Sequence, residues 1–409
     1  MHSLSSEAAH LIRFAQTDRQ REYMEALHQE GSERKAALAC GVSKSTIHNT
    51  VQMLRVEAGK SDTNVVLQQE IKDLREQNRQ LLMESADAVA YKQFIHEATK
   101  IRMSPPEWLE MTPLKKGGFF HGTPTLMLSD IHWAERVIAA QINNSNIYNL
   151  EVAKARLKYT FQKTIQMLFE GVKDPIYNGF VLVFGGDMLS GNIHEELRET
   201  NDLPLLVAVI DLLEELIAGI DLLLTRFSRI FIPCVVGNHG RLDHRPRMKN
   251  GAHDNVDWLL YHLLMRHYAK DKRVSFLIPD GFEASYRLHG RVYLLTHGDS
   301  FRGGNAISGP ITAWILGCIR KTKRYAAVGI NVDTILFGHW HQQLFGQNNL
   351  FISNGSVIGY NEFAHKFSFP FEPPRQALWV TAPNGDIPLK LDVYCEEPPE
   401  ITDKSWVSI

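Results

Sequence analysis

The sequence predicts an α/β domain preceded by a small all-α module and a short coiled coil, on three observations. From about Thr123 onward, short apolar runs alternate with helical patterns, the mark of a layered α/β domain. Residues 1–60 are helical in pattern, with a tight turn at Gly41 and Val42 between two of the helices. From Asn64 to about Ser85, apolar residues recur at heptad spacing. With 409 residues and 44% hydrophobic side chains, the chain is long enough for one large core and at least one smaller module.

Composition narrows the function classes only a little. A formal net charge of −2 gives no global attraction for polyanions, so any nucleic-acid contact must come from local basic surfaces. The four cysteines, Cys40, Cys234, Cys318 and Cys395, form no CxxC pair and no disulfide framework, which makes a reducing cytoplasm the expected location. MHSLSSEAAHLIRF lacks the basic and apolar regions of a signal peptide. The most apolar stretch, LPLLVAVIDLLEELIAGIDLLLTRF, carries Asp211, Glu214, Glu215 and Asp221 at spacings that keep a polar stripe, so it reads as a core-packed helix and no membrane partner is expected.

Within residues 1–60 the helices QREYMEALHQEG, SERKAALACGV and SKSTIHNTVQMLR follow one another, and Ile47, Val51 and Leu54 put one face of the third helix inside. Lys44, Thr46, His48, Asn49 and Gln52 are left outside it. This segment resembles helix-turn-helix DNA-binding domains, which implies DNA contact by Lys44, Thr46, His48 and Asn49 at the start of the third helix. A three-helix bundle used for protein contacts is the alternative. Eight Lys/Arg against seven Asp/Glu in residues 1–60 make phosphate neutralisation weak for one copy, and dimerisation would help. The seam that follows offers it: with Leu67, Leu74 and Leu81 at d and Ile71 and Asn78 at a, the lone Asn78 fixes register and a two-stranded state, so a homodimer through residues 64–85 is expected. A solitary amphipathic helix is the other reading. Residues 61–100 are thus a helical dimerisation segment, 101–122 a proline-broken linker, and 123–409 the α/β domain.

That domain carries the chemistry. The runs TLMLSDIH, FVLVFGGD, RIFIPCVVGNH, VYLLTHGD and TILFGHWH each end at a small residue or turn and then present Asp130 and His132, Asp187, Asn238 and His239, His297, and His339 with His341. Carboxyl ends of strands gather at one edge of an α/β sheet, so these side chains are expected to meet. Buried together without cations they would be poorly solvated. Mixed carboxylate, imidazole and amide ligands suit manganese, iron or zinc, and a bridging carboxylate allows two ions roughly 3.5 to 4 Å apart. In an extended strand end, residues i and i+2 face the same way, which would let His339 and His341 reach one cluster. Cys234, inside IPCVVG, reads as core rather than nucleophile.

The ordered pattern DxH, GD, GNH, H and GHxH over residues 123–360 resembles the calcineurin-like metallophosphoesterase superfamily. The resemblance implies a four-layer α-β-β-α sandwich. It further implies that Asp130, His132 and His341 hold a first metal, that Asp187 bridges, that Asn238, His297 and His339 hold a second, and that His239 stays unligated as acid toward the leaving oxygen. Two divalent transition-metal ions are implied, manganese first, with iron or zinc as alternatives. The motif order is similar to SbcD-type nucleases, and the pairing with an N-terminal helix-turn-helix resembles phage-encoded phosphoesterases. A DNA-directed phosphodiesterase or nuclease is the function this implies, with a protein or nucleotide phosphatase, or a DNA-binding regulator with an inactive phosphoesterase fold, as alternatives. Where the family often has an acidic residue after GNH, this chain has a basic loop with Arg241, Arg245 and Arg247, expected to hold flanking phosphates or else to pair with Asp243 and Asp254. His194 and Arg302, a few residues past ligands, are further substrate-contact candidates. Tyr360, Phe363, Phe367 and Phe369 could stack on unpaired bases; closing a sheet edge is the commoner use of such a tail and is the expectation here.

Overall fold

The computed structural model describes residues 4–59, 104–110, 120–302 and 310–397. The heptad seam 64–85 and most of the linker lie outside the described residues. Two compact units divide the chain, residues 1–96 and 97–409.

In the first unit, helices α1 (Leu4–Leu11), α2 (Asp18–Glu30) and α3 (Glu33–Ala39) precede α4, helical through residues 44–59. Thr17 and Gln20 form a capping box at the start of α2, and Gly31 ends that helix at φ 62°, which no L side chain adopts cheaply. Met24, Leu27, Ala36, Ile47, Val51 and Leu54 bury one shared core. The turn between α3 and α4 is closed by the Val42 N–H on the Ala37 carbonyl at 2.9 Å. Gly41 sits in it at φ 66°. Ser43 Oγ accepts the Thr46 N–H at 3.2 Å and starts α4.

The second unit is mixed α/β with two sheets. The larger contains β1 (Phe120–Leu128), β2 (Pro175–Tyr177), β3 (Phe180–Phe184), β4 (Ile230–Pro233), β5 (Val274–Leu277), β11 (Arg375–Thr381) and β12 (Leu389–Tyr394), in the order β12-β11-β1-β3-β4-β5 with β2 beside β1. Here β1, β3, β4 and β5 are parallel, and β11 and β12 run antiparallel to their neighbours. The smaller sheet has the order β6-β7-β8-β10-β9, built from β6 (Glu283–Leu288), β7 (Arg291–Thr296), β8 (Thr334–Phe337), β9 (Leu344–Phe345) and β10 (Phe351–Ser353). In it β7, β8 and β10 are parallel.

Alternation along the strands explains how the sheets pack. Val181 and Val183 of β3 and Trp379 of β11 share one core cluster with Tyr293 and Leu295 of β7 and Leu336 of β8, so the two sheets face each other across it. The intervening residues Leu294, Ile335 and Phe337 turn away and bury Trp314 and Cys318 of α9 (Ile311–Ala326). Behind the larger sheet, Phe184 stacks on Tyr261 of α8 (Val256–His267) with ring centroids 5.6 Å apart. The apolar stretch expected to pack as a helix is α7 (Leu205–Leu224), which buries Leu212, Leu216, Ile220 and Leu223 while Asp211 pairs with Lys154 of α5 (Leu150–Phe169). Among the described residues, no helix is long and apolar enough to cross a membrane.

One stretch departs from the expected linker. Residues 107–110 form a short 3-10 turn whose Trp108 and Leu109 are buried in the core between the sheets. The Leu109 carbonyl accepts the His289 N–H at 3.0 Å, and the Arg229 guanidinium lies 4.7 Å from the Trp108 ring centre. Two apolar side chains amid prolines carry no periodicity, so only packing reveals that they belong to the fold.

Candidate metal centre

The five strand ends converge where the carboxyl ends of β1, β3 and β4 in one sheet meet those of β7 and β8 in the other. Beyond the strands the loops remain joined by backbone hydrogen bonds: Asp130 N–H to Gly186 O at 3.0 Å, His132 N–H to Asp187 O at 3.1 Å, and Gly338 N–H to His297 O at 2.9 Å. Asp130, His132, Asp187, His339 and His341 all have φ between 51° and 69°, the left-handed region that non-glycine residues rarely occupy. Such strain persists only where the surroundings impose it, and it marks functional sites. The motif glycines have a matching reason: a Cβ at Gly338 would collide with the Asp130 carboxylate, and one at Gly237 with that of Asp187.

The donor atoms fall into three groups, each with its atoms within 4.8 Å of one another: Asp130, His132 and His341; His132, Asp187 and His239; and Asp187, His297 and His339. Asp187 and His132 are therefore shared between groups. Asn238 Oδ1 lies 3.2 Å from His297 Nε2 and so faces the third group. His132 Nε2 and His341 Nε2 approach to 3.2 Å. His339 turns its ring toward His297, centroids 5.1 Å apart, and donates its backbone N–H to Asp130 Oδ1 at 2.9 Å.

These donors fit cations. His297 Nδ1 is 2.9 Å from the Gly185 carbonyl and must donate to it, which leaves Nε2 facing two oxygens, Asp187 Oδ2 at 2.9 Å and Asn238 Oδ1 at 3.2 Å. A neutral nitrogen lone pair cannot rest against two acceptors; the position calls for a proton or a metal ion. The protein by itself answers with protons. Burial alone would lower the His297 pKa, but Asp187 outweighs it and raises the value to about 10. His132, likewise pressed down by burial, is raised to about 9 by Glu135. His339, buried and beside the charged His297, is lowered to about 4. Asp130, Glu135 and Asp187 thus favour positive charge at these positions.

His239 is arranged differently. Its Nδ1 is 2.9 Å from the Ser190 carbonyl, which fixes the proton there and leaves Nε2 open, while its backbone N–H donates to Asp187 Oδ1 at 2.7 Å. Burial lowers its pKa despite the facing Asp187 charge.

Several supporting residues carry no motif in the sequence. Glu135 Oε2 is 3.0 Å from His132 Nδ1. Asp257 Oδ2 accepts the N–H groups of Asp187 and Gly237, each at 3.0 Å; burial and then the Asp187 charge push its pKa up to about 7. Ser129 Oγ donates to Asp130 Oδ2 at 2.5 Å and is itself held by Asn354 Nδ2 at 2.8 Å. Asp257 lies in the first turn of α8, where a carboxylate is common for reasons of helix-end electrostatics alone, so its contact with Asp187 leaves no mark in the sequence.

Two expectations are corrected. His339 and His341 do not lie on extended backbone: at φ 69° and 53° the chain coils, and the two rings enter different donor groups. The aromatic tail does not close a sheet edge, because Phe363, Phe367 and Phe369 are 60%, 55% and 42% exposed. Cys234 is fully buried, as its apolar run predicts.

Of the remaining candidates, Arg241 is tied to the carbonyls of Asn238, Asp243 and His244. Arg247 pairs with Asp243 at 2.5 Å and Asp254 at 3.4 Å, the alternative weighed for this loop. Arg245 and Arg302 are exposed. His194 caps α6 (Glu195–Thr200), its ring 6.3 Å from that of His239. In the first unit Lys44, His48 and Asn49 are exposed and Thr46 half-buried, and His48 Nδ1 is 3.0 Å from Glu33 Oε1.

No family model matches the chain, and no curated protein matches it. Solved structures that resemble it include Vps29 from Entamoeba histolytica complexed with zinc, 12% identical over 66% of this chain and 99% of that one at a TM-score of 0.26. Another is a protein of Streptococcus pneumoniae described as a predicted phosphoesterase, 13% identical over 66% and 97% with a TM-score of 0.24. A third is the sulfate thiohydrolase SoxB of Thermus thermophilus in complex with glycerol, 10% identical over 69% and 58% with a TM-score of 0.29.

Proposed function

We propose that this chain is a metal-dependent phosphoesterase of the calcineurin-like type, acting on phosphodiester bonds of DNA through a dinuclear centre. The observation that carries the reading is Asp187, a buried carboxylate shared between two donor groups whose other members, His132, His239, His297 and His339, come from four other strand ends. Helix α8 against the larger sheet, the two sheets facing each other and α9 against the smaller sheet agree with the four-layer α-β-β-α arrangement that this reading implies. Asp130, His132 and His341 would hold one ion, and Asn238, His297 and His339 a second, with Asp187 between them. Bound ions, manganese first, would supply positive charge to polarise the phosphoryl oxygens and activate water.

The chain's own groups do the rest. Ser129 and the His339 N–H fix the Asp130 carboxylate, and Asp257 fixes the backbone that carries Asp187. His239, its Nδ1 proton held by the Ser190 carbonyl, presents Nε2, which would take up a second proton from solvent and pass it to the leaving oxygen. Arg245, exposed beside the GNH loop, is available to a flanking phosphate. The N-terminal unit, with Lys44, Thr46, His48 and Asn49 at the start of α4, is the DNA reader, dimeric through residues 64–85.

Manganese-loaded protein is expected to hydrolyse bis(4-nitrophenyl) phosphate and linear DNA faster than 4-nitrophenyl phosphate. Preference for the monoester would overturn the diesterase reading in favour of a phosphatase. Absence of any turnover with metal bound would favour a DNA-binding regulator.

A further inference from the structure

Residues 360–371 carry an aromatic surface that the metal centre does not use. Phe363 and Phe367 have ring centroids 4.8 Å apart, with Phe369 at 5.9 and 6.4 Å from them. Phe371 lies 5.6 Å from Tyr360 and is 56% exposed. So many large apolar rings in one short exposed segment mark a contact surface rather than a core. Its charge is one-sided: Phe363 to Phe371 contains Lys366 and His365 and no acidic residue, and the Lys366 ammonium lies 6.0 Å from the Phe367 ring centre. The flanking acids are already engaged, Glu362 with the Ile138 N–H at 2.7 Å and Glu372 with Arg375 at 2.7 Å.

This surface is continuous with the metal centre. The Val357 N–H donates to the Asp130 carbonyl at 3.1 Å, and six residues later the chain reaches Phe363. Asn361 joins the two a second way: its Oδ1 accepts the Ala364 N–H at 3.1 Å, and its Nδ2 donates to Glu135 Oε1 at 3.4 Å, the carboxylate that faces His132. Exposed rings with a cation, anchored beside a site that would bind a phosphodiester, match a polyanion whose bases have π faces. Paired bases keep those faces stacked on each other.

We propose that Phe363, Phe367 and Phe369, with Lys366, stack and hold unpaired bases of single-stranded DNA next to the phosphodiester in the metal centre, an inference that rests on the phosphodiesterase reading above. The surface makes the substrate a single-stranded end or gap rather than an intact duplex, since stacking on the rings needs bases already free.

The test is fluorescence anisotropy of the full chain, in chelator to prevent turnover, with a labelled thymidine 12-mer and with an abasic 12-mer of the same phosphate number. The parent protein is expected to prefer the thymidine strand. The variant F363A/F367A/F369A is expected to bind it roughly 10- to 100-fold more weakly, as loss of one or two stacked bases gives, with abasic binding unchanged. As a check independent of that variant's folding, Phe367→Trp is expected to keep affinity and add tryptophan fluorescence that the thymidine strand quenches and the abasic strand does not. Equal binding of both strands by the parent, unaltered affinity in the alanine variant, or tighter binding of a uridine 12-mer would overturn the proposal. So would loss of binding to phosphatidylserine vesicles in the alanine variant with DNA affinity intact, which would assign the rings to a lipid surface. Hydrolysis of bis(4-nitrophenyl) phosphate by the manganese-loaded parent tests the metal-centre reading separately: no turnover together with a clear thymidine preference would sink that reading and not the stacking surface.

Discussion

Asp187→Asn separates the charge of the central carboxylate from its shape. The substitution is nearly isosteric and leaves no cavity, but it removes the partner of His297, whose Nε2 is 2.9 Å from Asp187 Oδ2 with both side chains 2% exposed. At an effective dielectric of ~20 the pair is worth about 6 kcal/mol of Coulomb energy, and deleting one member of a buried pair costs ~3–5 kcal/mol. The rise of the His297 pKa from 6.5 to about 10 corresponds to about 5 kcal/mol, a similar magnitude. In chelator, the substituted protein should therefore be roughly 3–5 kcal/mol less stable than the parent. The pH dependence has a definite sign. A raised histidine pKa contributes stability in full below 6.5 and loses it as pH climbs through about 10. The lowered Asp187 pKa contributes above its ordinary 3.8 and loses it as pH falls. The gap between parent and variant is thus widest from about pH 4 to 6.5 and closes toward pH 10. Urea unfolding followed by tryptophan fluorescence reads it cleanly, because all 7 tryptophans lie at or after Trp108, in the second unit. In manganese, elemental analysis should show the variant unable to hold two ions, with turnover abolished. Equal stability at pH 6 in chelator, or full two-ion occupancy of the variant, would refute the shared-carboxylate reasoning.

His239→Ala should retain its metal while losing roughly 10²- to 10⁴-fold in turnover, the usual share of a proton-transfer group; an unimpaired rate would give His239 another role. Deleting residues 1–103 should leave diester hydrolysis near the parent rate but weaken duplex DNA binding and flatten its salt dependence. Deleting residues 1–110 should also remove Trp108 and Leu109 from the core between the sheets, at ~3–5 kcal/mol for the tryptophan alone; equal melting of the two truncations would refute the packing assigned to that turn. Asn78→Leu should give a more stable chain less faithful to two strands, checked by sedimentation of the full protein; a parent that sediments as a monomer at high concentration would count against the seam.

The sequence by itself determined the parts that local chemistry encodes. Period-3.6 apolar spacing at Ile47, Val51 and Leu54 placed α4's buried face, and apolar runs ending in Asp, Asn or His marked β1, β3, β4, β7 and β8 and the residues that would meet beyond them. Only the tertiary structure decided which strands share a sheet. Backbone hydrogen bonds between segments as distant as β1 and β11 have no residue code, so nothing in TLML or VYLL says that one lies in the larger sheet and the other in the smaller. It also decided how each ligand is aimed. The left-handed turns at Asp130, Asp187, His339 and His341 are imposed by neighbouring loops, and they send the two histidines of GHWH into separate donor groups. Asp257 and Asn354 were invisible for a related reason, since each acts on a residue far along the chain, Asp187 and Ser129, through a contact that only the tertiary fold makes; Glu135, three residues from His132, belongs to no motif. Exposure was the last thing the structure settled, since an aromatic run reads alike whether its rings are buried at a sheet edge or, like Phe363 and Phe367, left facing water.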